Sequence, residues 1–259
     1  MRISSFFTGA GGLDLGFKKS GAQILYANEF DKKIWSTFEL NFTKKTNTYL
    51  DKRSITKVNA SEVPDCDGII GGPPCQSWSE AGALRGIKDK RGQLFFDFIR
   101  ILKAKKPLFF LAENVSGMLA GRHNEALKNI IQLFEKSGYV VTYELLNTSD
   151  FGVPQDRQRV IFVGYRKDLG KKFIHPSPTT LSIDHKLTLK DAIWDLRNNA
   201  LPAKEKNQSN YEKCKVPNHE YMIGGFSTIY MSRNRVRPWN RQSFTIQAGG
   251  RHAPIHPRA

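Results

Sequence analysis

The sequence predicts an α/β fold, a doubly wound and mostly parallel sheet joined to a smaller, irregular region. Three observations predict it. Short apolar runs alternate with amphipathic helical stretches over residues 2–165. Two of the runs stop in glycine turns, at Thr8-Gly9-Ala10-Gly11-Gly12 and at Gly71-Gly72-Pro73-Pro74, as strands do where an open sheet presents its ligand-binding edge. From Arg166 onward prolines, short segments and basic residues replace the alternation, so a boundary is expected between a first domain, 1–165, and a second region, 166–259.

The first strand covers 2–7. Its glycine turn lets the backbone approach a ligand, and the helix over 13–19 offers amide donors at its N-terminus. The spacing misses the dinucleotide fingerprint, because the third-glycine position is Asp14. A second strand over 23–27 ends at Asn28-Glu29, where a carboxylate can accept hydrogen bonds from both hydroxyls of a ribose. Together these suggest a nucleoside-bearing cofactor with no need of a pyrophosphate, although Glu29 also suits the start of a helix over 31–40. Residues 44–57 read as loop around a short strand. Ile69 and Ile70 form a buried strand stopped by the prolines, which places Cys75 at the mouth of a crevice. A free cysteine is usually a small buried hydrophobe, but here it is also a candidate nucleophile.

Residues 80–92, with Gly82, Gly86 and Gly92, read as a loop long enough to act as a lid. A helix over 93–103 turns Leu94, Phe95, Phe98, Ile101 and Leu102 to one side. A strand over 108–112 ends at Glu113-Asn114-Val115, and a helix over 122–137 leads to strands over 139–146 and 160–165. The second region holds one helical piece near 189–197. No internal repeat or low-complexity tract is present.

Composition narrows the function classes. Apolar and charged fractions of 39% and 25% are those of a soluble globular protein, and the longest apolar runs are far below membrane-spanning length. The N-terminus opens directly as a strand, and three widely spaced cysteines, Cys66, Cys75 and Cys214, fit neither a disulfide framework nor a zinc site. A cytoplasmic protein without a metal is expected. A net charge of +16 calls for a polyanionic partner. Residues 1–165 hold 23 Lys+Arg against 17 Asp+Glu, whereas 166–259 hold 17 against 7, so nucleic acid is expected on the second region.

A thiol and a carboxylate facing one crevice beside a cofactor have a specific use on pyrimidines. Cytosine carbon-5 is a poor nucleophile until a thiolate adds to carbon-6 and makes an enamine. A carboxylic acid at ring nitrogen-3 and the exocyclic amine would stabilise the charge that develops. A duplex would have to release the ring from its stack first. In Gln155-Asp156-Arg157-Gln158-Arg159 alternate residues of an extended segment point the same way, so Arg157 and Arg159 can both enter the crevice, one on the pyrimidine carbonyl and one on a phosphate.

The ordered set Phe7-Thr8-Gly9-Ala10-Gly11-Gly12, Asn28-Glu29, Gly72-Pro73-Pro74-Cys75-Gln76-Ser77, Glu113-Asn114-Val115 and Gln155-x-Arg157-x-Arg159 resembles the DNA cytosine-5 methyltransferase family over essentially the whole chain. The resemblance implies a Rossmann-like fold that uses S-adenosylmethionine, with 1–165 as catalytic and cofactor-binding domain and 166–259 as target-recognition region. It implies Cys75 as nucleophile, Glu113 as the acid at nitrogen-3, Arg159 on the flipped base, and Arg157 and Gln155 in support. Phe7, Gly9, Ala10, Gly11, Gly12, Asn28, Glu29, Ser54, Ile55, Gly72, Pro73 and Leu94 would line the cofactor. Residues 80–92 would close over double-stranded DNA, which Gln76, Ser77 and Ser79 would contact. The second region is similar to HaeIII-type enzymes that methylate the inner cytosine of GGCC in a restriction-modification setting. Arg233, Arg235 and Arg237 are then candidates for base reading, since arginine on guanine is the commonest specific major-groove contact.

Two departures from the family pattern stand out. Where the family carries an acidic residue after the third strand, the matching position is Ser54. The chain also stops at Ala259, inside the recognition region, without the family's last two segments. Two alternatives follow: an inactive, DNA-binding remnant, or a chain completed by a second polypeptide; a complete enzyme of this kind is expected to be a monomer. An amino methyltransferase is disfavoured, because its Pro-Pro is followed by an aromatic residue and here Cys75 follows.

Overall fold

The computed structural model describes residues 1–74, 90–180, 182–202, 204, 211–215, 220–221 and 237–245. Its contacts divide the chain into two units, one of 1–145 with 159–175 and one of 146–158 with 176–259. Residues 146–158 thus group with the second region, although they lie before the 165/166 boundary expected from sequence.

Seven strands make the main sheet: β1 (Arg2–Phe6), β2 (Gln23–Asn28), β3 (Tyr49–Asp51), β4 (Gly68–Gly71), β5 (Phe109–Val115), β6 (Tyr139–Asn147) and, after a short β7 (Gln155–Asp156) outside it, β8 (Gln158–Arg166). Their order is β3-β2-β1-β4-β5-β8-β6. Pairs from β3 through β5 are parallel, and β8 runs antiparallel to β5. The period of two sorts the apolar residues onto two faces. Ile69, Phe110 and Ala112 join the larger core with Phe95, Phe98, Ile101 and Leu102 of α3 (Lys90–Lys105) and with Leu127, Ile130 and Phe134 of α4 (Asn124–Lys136). Ile3, Ile24 and Ile70 face the other way, under Leu13 and Phe17 of α1 (Gly12–Lys19). Helices on both faces of a mostly parallel sheet make the doubly wound fold that the alternation implied. No helix among the described residues is long and apolar enough to cross a membrane.

Four elements differ from expectation. The helix expected over 31–40 is α2 (Lys32–Phe38), which passes into a π turn at Glu39–Thr43 and one more turn at Lys44–Thr46. The helix expected from 93 starts at Lys90, so the loop read as 80–92 loses its last residues to it; 80–89 lie outside the described residues. The strand expected to stop at Ala112 continues through Glu113-Asn114-Val115, because β8 keeps pairing with it as far as Val115 opposite Arg159. The helix near 189–197 is α5 (Leu189–Ile193), broken by the backbone of Ile193 at φ −140° before a 3-10 turn at Trp194–Leu196.

The second unit also carries β9 (Leu201–Pro202) paired with β10 (Glu220–Tyr221), and β11 (Ser243–Phe244) paired in parallel with β7.

Candidate active site

The glycine turn leaves β1 in three left-handed steps, at Phe7 (φ 53°), Gly9 (φ 57°) and Gly11 (φ 89°). Phe7 is the unusual one, since a bulky residue rarely adopts that backbone and does so mainly at functional turns. At Gly11 no other residue fits: a Cβ there would lie 2.3 Å from the ring of Phe42. At Gly9 the same test meets nothing within 4 Å among the described residues. The carboxylate of Glu29 is fixed beside it, with Oε2 accepting from the Gly9 amide at 2.8 Å and Oε1 from the Asp31 amide at 2.7 Å.

Beneath the turn lies a residue whose role sequence reasoning missed. Asp14 is fully buried, and its Oδ2 accepts from the Thr8 hydroxyl. Burial pushes this carboxyl above its ordinary range, against the opposing hydrogen bonds from Thr8 and Ser5. The available signal was Asp14 itself, an acidic residue where a fingerprint glycine would stand.

The remaining cofactor candidates are placed unequally. Asn28 is buried, and its Nδ2 donates to the carbonyls of Asp51 (3.1 Å) and Arg53 (2.8 Å), which ties β2 to the end of β3. Ser54 caps the short turn Ile55–Lys57 through a 3.4 Å bond from the Thr56 amide. The Ile55 side chain is packed into the larger core. Leu94 is half-buried against that core, and Ala10 and Gly12 are exposed. The acidic residue that closes β3 is Asp51, whose carboxylate is held by Arg53 Nη2 at 2.6 Å and by the Tyr26 hydroxyl at 2.8 Å.

The second strand end centres on Glu113. Arg159 sits opposite Val115 in the antiparallel pair, one diagonal step from Glu113, and its Nε donates to Glu113 Oε1 at 2.6 Å. Both side chains are largely buried, at 25% exposure for Glu113 and 20% for Arg159. Asn114 points to the opposite face, where its Nδ2 donates to the carbonyl of Pro73 at 3.0 Å. That bond fixes the Pro-Pro turn of β4 against β5, and Glu113 Oε2 lies 3.4 Å from where a Cβ on Gly72 would stand. Gly72, Pro73, Glu113 and Arg159 are thus brought together.

Cys75, Gln76, Ser77 and Ser79 lie outside the described residues, as do Arg233 and Arg235. Gln155 and Arg157 belong to the second unit. There the Arg157 amide donates to Asn147 Oδ1 at 3.0 Å and the Gln155 carbonyl accepts from the Thr148 hydroxyl at 2.8 Å. Arg237 is in that unit too, with Nη2 on Asp156 Oδ2 at 3.2 Å and its guanidinium 3.8 Å from the centre of the Phe244 ring. No group of three or more His, Cys, Asp or Glu among the described residues is arranged to hold a metal ion.

Comparison with known proteins bears on this geometry. The family model for C-5 cytosine-specific DNA methylase matches residues 1–258. The chain is 56% identical to the type II methyltransferase M.FnuDI of Fusobacterium nucleatum, over all of this chain and 74% of that protein. It is 55% identical to the type II methyltransferase M.NgoPII of Neisseria gonorrhoeae, over all of this chain and 75% of that one. A solved Escherichia coli prophage protein, described as a DNA modification methyltransferase, superposes with a TM-score of 0.65 at 29% identity, over 78% of this chain and 57% of that one. The chain belongs to the C-5 cytosine-specific DNA methylase family.

Proposed function

We propose that the chain transfers a methyl group from S-adenosylmethionine to carbon-5 of a cytosine swung out of duplex DNA. The observation that carries this reading is the Glu113–Arg159 pair beside Gly72-Pro73, because it holds a carboxyl group at the strand end that leads to Cys75.

The residues at the first strand end fit the cofactor. A Cβ at Gly9 would meet nothing within 4 Å among the described residues, the turn is held in an uncommon backbone conformation, and the carboxylate of Glu29 is set by two amides. Phe7 and Gly9–Gly12 would hold the donor with Glu29 on its ribose, and Ser54, Gly72, Pro73 and Leu94 would complete the pocket. Asn28 and Ile55 would contribute backbone, because their side chains are turned into the protein. S-adenosylmethionine, when bound, supplies an electrophilic methyl group.

The chain's own residues do the rest. The Cys75 thiolate adds to carbon-6 while Glu113 gives a proton to nitrogen-3, which makes carbon-5 nucleophilic. Arg159 fixes the Glu113 carboxyl through Oε1, so that it meets the ring at a set angle. After transfer a base removes the carbon-5 proton, sulfur leaves carbon-6 and the nitrogen-3 proton returns. The inner cytosine of GGCC is the proposed target, in a restriction-modification setting, with Arg233 and Arg235 as readers of guanine. A complete enzyme of this kind is proposed to work in the cytoplasm as a monomer.

A duplex carrying 5-fluorocytosine in GGCC tests this directly. Carbon-5 then cannot lose a proton, so the wild-type chain should stay covalently attached in the presence of S-adenosylmethionine, and Cys75→Ser should not. Absence of an adduct on every cytosine duplex sinks the reading. An adduct on duplexes with GGCC changed sinks only the target assignment.

A further inference from the structure

Within the second unit, residues 237–245 converge on a short arm of chain. Ser243 and Phe244 pair with Gln155 and Asp156. The Ser243 amide donates to the Pro154 carbonyl at 2.9 Å, and the Thr245 hydroxyl donates to the Asp156 carbonyl at 2.7 Å. Arg237 closes the clamp from the far end of the segment, pairing with Asp156 and stacking on Phe244. The arm's other side is tied to Asn147 and Thr148. Asn147 Nδ2 donates to Asp156 Oδ1 at 3.3 Å, and the Thr148 amide donates to the Arg157 carbonyl at 3.1 Å. Both carboxylate oxygens of Asp156 are therefore engaged, one from each side.

Arg237 in this setting is poorly disposed to read a base. Guanine recognition uses two N–H groups along one edge of the guanidinium. Nη2 donates to Asp156, and Nε is buried with no hydrogen-bond partner among the described residues, so the edge that Nε and Nη2 share is closed to a base. The arm itself has little slack. Only Arg157 separates β7 from β8, and Arg159, which holds Glu113, is the second residue of β8.

We propose that Arg237 and Asp156 are positioning residues, whose ion pair, backed by Phe244, fastens the recognition-region segment to the arm that leads into Arg159. One piece of chain then sets both the recognition segment and the residue that orients Glu113. This rests on the cytosine-5 methyltransferase reading.

The test uses the full chain, its Arg237→Met and Asp156→Asn variants, and the double variant. Single-turnover methyl transfer should slow by about tenfold or more in each single variant, as expected when a catalytic group is displaced by a fraction of an ångström. The double variant should be no slower than the worse single one, because the two residues act as a unit. The ranking of GGCC against duplexes with one base pair changed should stay as in the wild type. A changed ranking in Arg237→Met would make it a base reader and overturn the proposal, and so would unchanged rates. Amide exchange supplies a readout independent of activity: the Arg157 and Thr148 amides should exchange faster in both variants while those of β1 and β4 do not. If the wild-type chain transfers to no cytosine, the enzymatic reading fails by itself. Unchanged protection at Arg157 and Thr148 in Arg237→Met would then still overturn the clamp.

Discussion

Replacing Gly11 by alanine should destabilise the first unit by two separable effects. The backbone at φ 89° is left-handed, which costs an ordinary residue about 1–2 kcal/mol. The added methyl group would also stand 2.3, 2.9 and 3.1 Å from three carbons of the Phe42 ring. Phe42 is buried and stacked on Phe38 at a centroid distance of 4.6 Å, so it cannot step aside, and overpacking of this kind costs about 1–3 kcal/mol. The total, about 2–5 kcal/mol, is a large part of the stability of a typical domain. Two neighbours separate the effects. Gly9→Ala meets the same backbone cost in open space, so it should lose only about 1–2 kcal/mol. Gly12→Ala lies in α1 with open space around it, so it should be neutral or gain up to about 1 kcal/mol from helix propensity. Urea unfolding at constant slope gives the three values. Trimming the ring in Gly11→Ala/Phe42→Leu should recover about 1 kcal/mol or more relative to the sum of the single changes. Equal stabilities for the three alanine variants, or a Gly11→Ala cost that Phe42→Leu does not relieve, would refute the reasoning.

Three further outcomes follow from the same geometry. Glu113→Gln should slow single-turnover methyl transfer by about 10²–10⁴ while leaving duplex binding measurable, since it removes a proton donor and keeps the shape. Burial by itself would push the Asp51 carboxyl up, but hydrogen bonds from Arg53 and Tyr26 outweigh it and hold the group below its ordinary value. The stability this lends is present above about pH 4 and is lost as pH falls through the lowered value, so urea midpoints of Asp51→Asn should fall less steeply in acid than those of the wild type. Asp14 has the opposite sign: burial raises its carboxyl, so the folded state keeps the proton longer, and stability declines as pH rises through the raised value. Asp14→Asn should lack that decline, and identical midpoint-against-pH curves for the two chains would contradict it.

The sheet and its connections were legible because the local signals agreed. The strands β1, β2, β4 and β5 lead into a glycine turn, a Pro-Pro turn or an Asn/Glu pair, whereas β3 is only three residues long and carries no such stop. The length of β5 was not legible, since its last three residues are held as strand by β8, which is distant in sequence. For the same reason Arg159 could be placed near Glu113 only by supposing an extended arm, whereas the register fixes it one diagonal step away. Ser54 drew attention because it departs from a pattern, but the carboxylate closing β3 is Asp51, three residues earlier. Asp156 went unremarked between two polar neighbours, because its partners, Asn147 and Arg237, are 9 and 81 residues away. Residue types announced the chemistry, while side-chain ties over long sequence separations decided which residues hold it in place.

Those ties follow a pattern along the carboxyl edge of the parallel strands. Gly9 beyond β1 donates to Glu29 beyond β2, Asn28 of β2 to the carbonyls of Asp51 at the end of β3 and Arg53 beyond it, Asn114 of β5 to Pro73 beyond β4, and Arg159 of β8 to Glu113 of β5. Between β1 and β4 Gly71 approaches so closely that a Cβ would stand 2.5 Å from the carbonyl oxygen of Phe6. Each junction is thus fixed by a side chain reaching across to its neighbour or by a glycine that allows direct approach. These ties hold the carboxylates of Glu29 and Glu113. That is a physical reason for Glu113 and Asn114 to stand together: the glutamate, proposed as the acid, lies on one face of β5, and the asparagine holds, on the other face, the Pro73 turn.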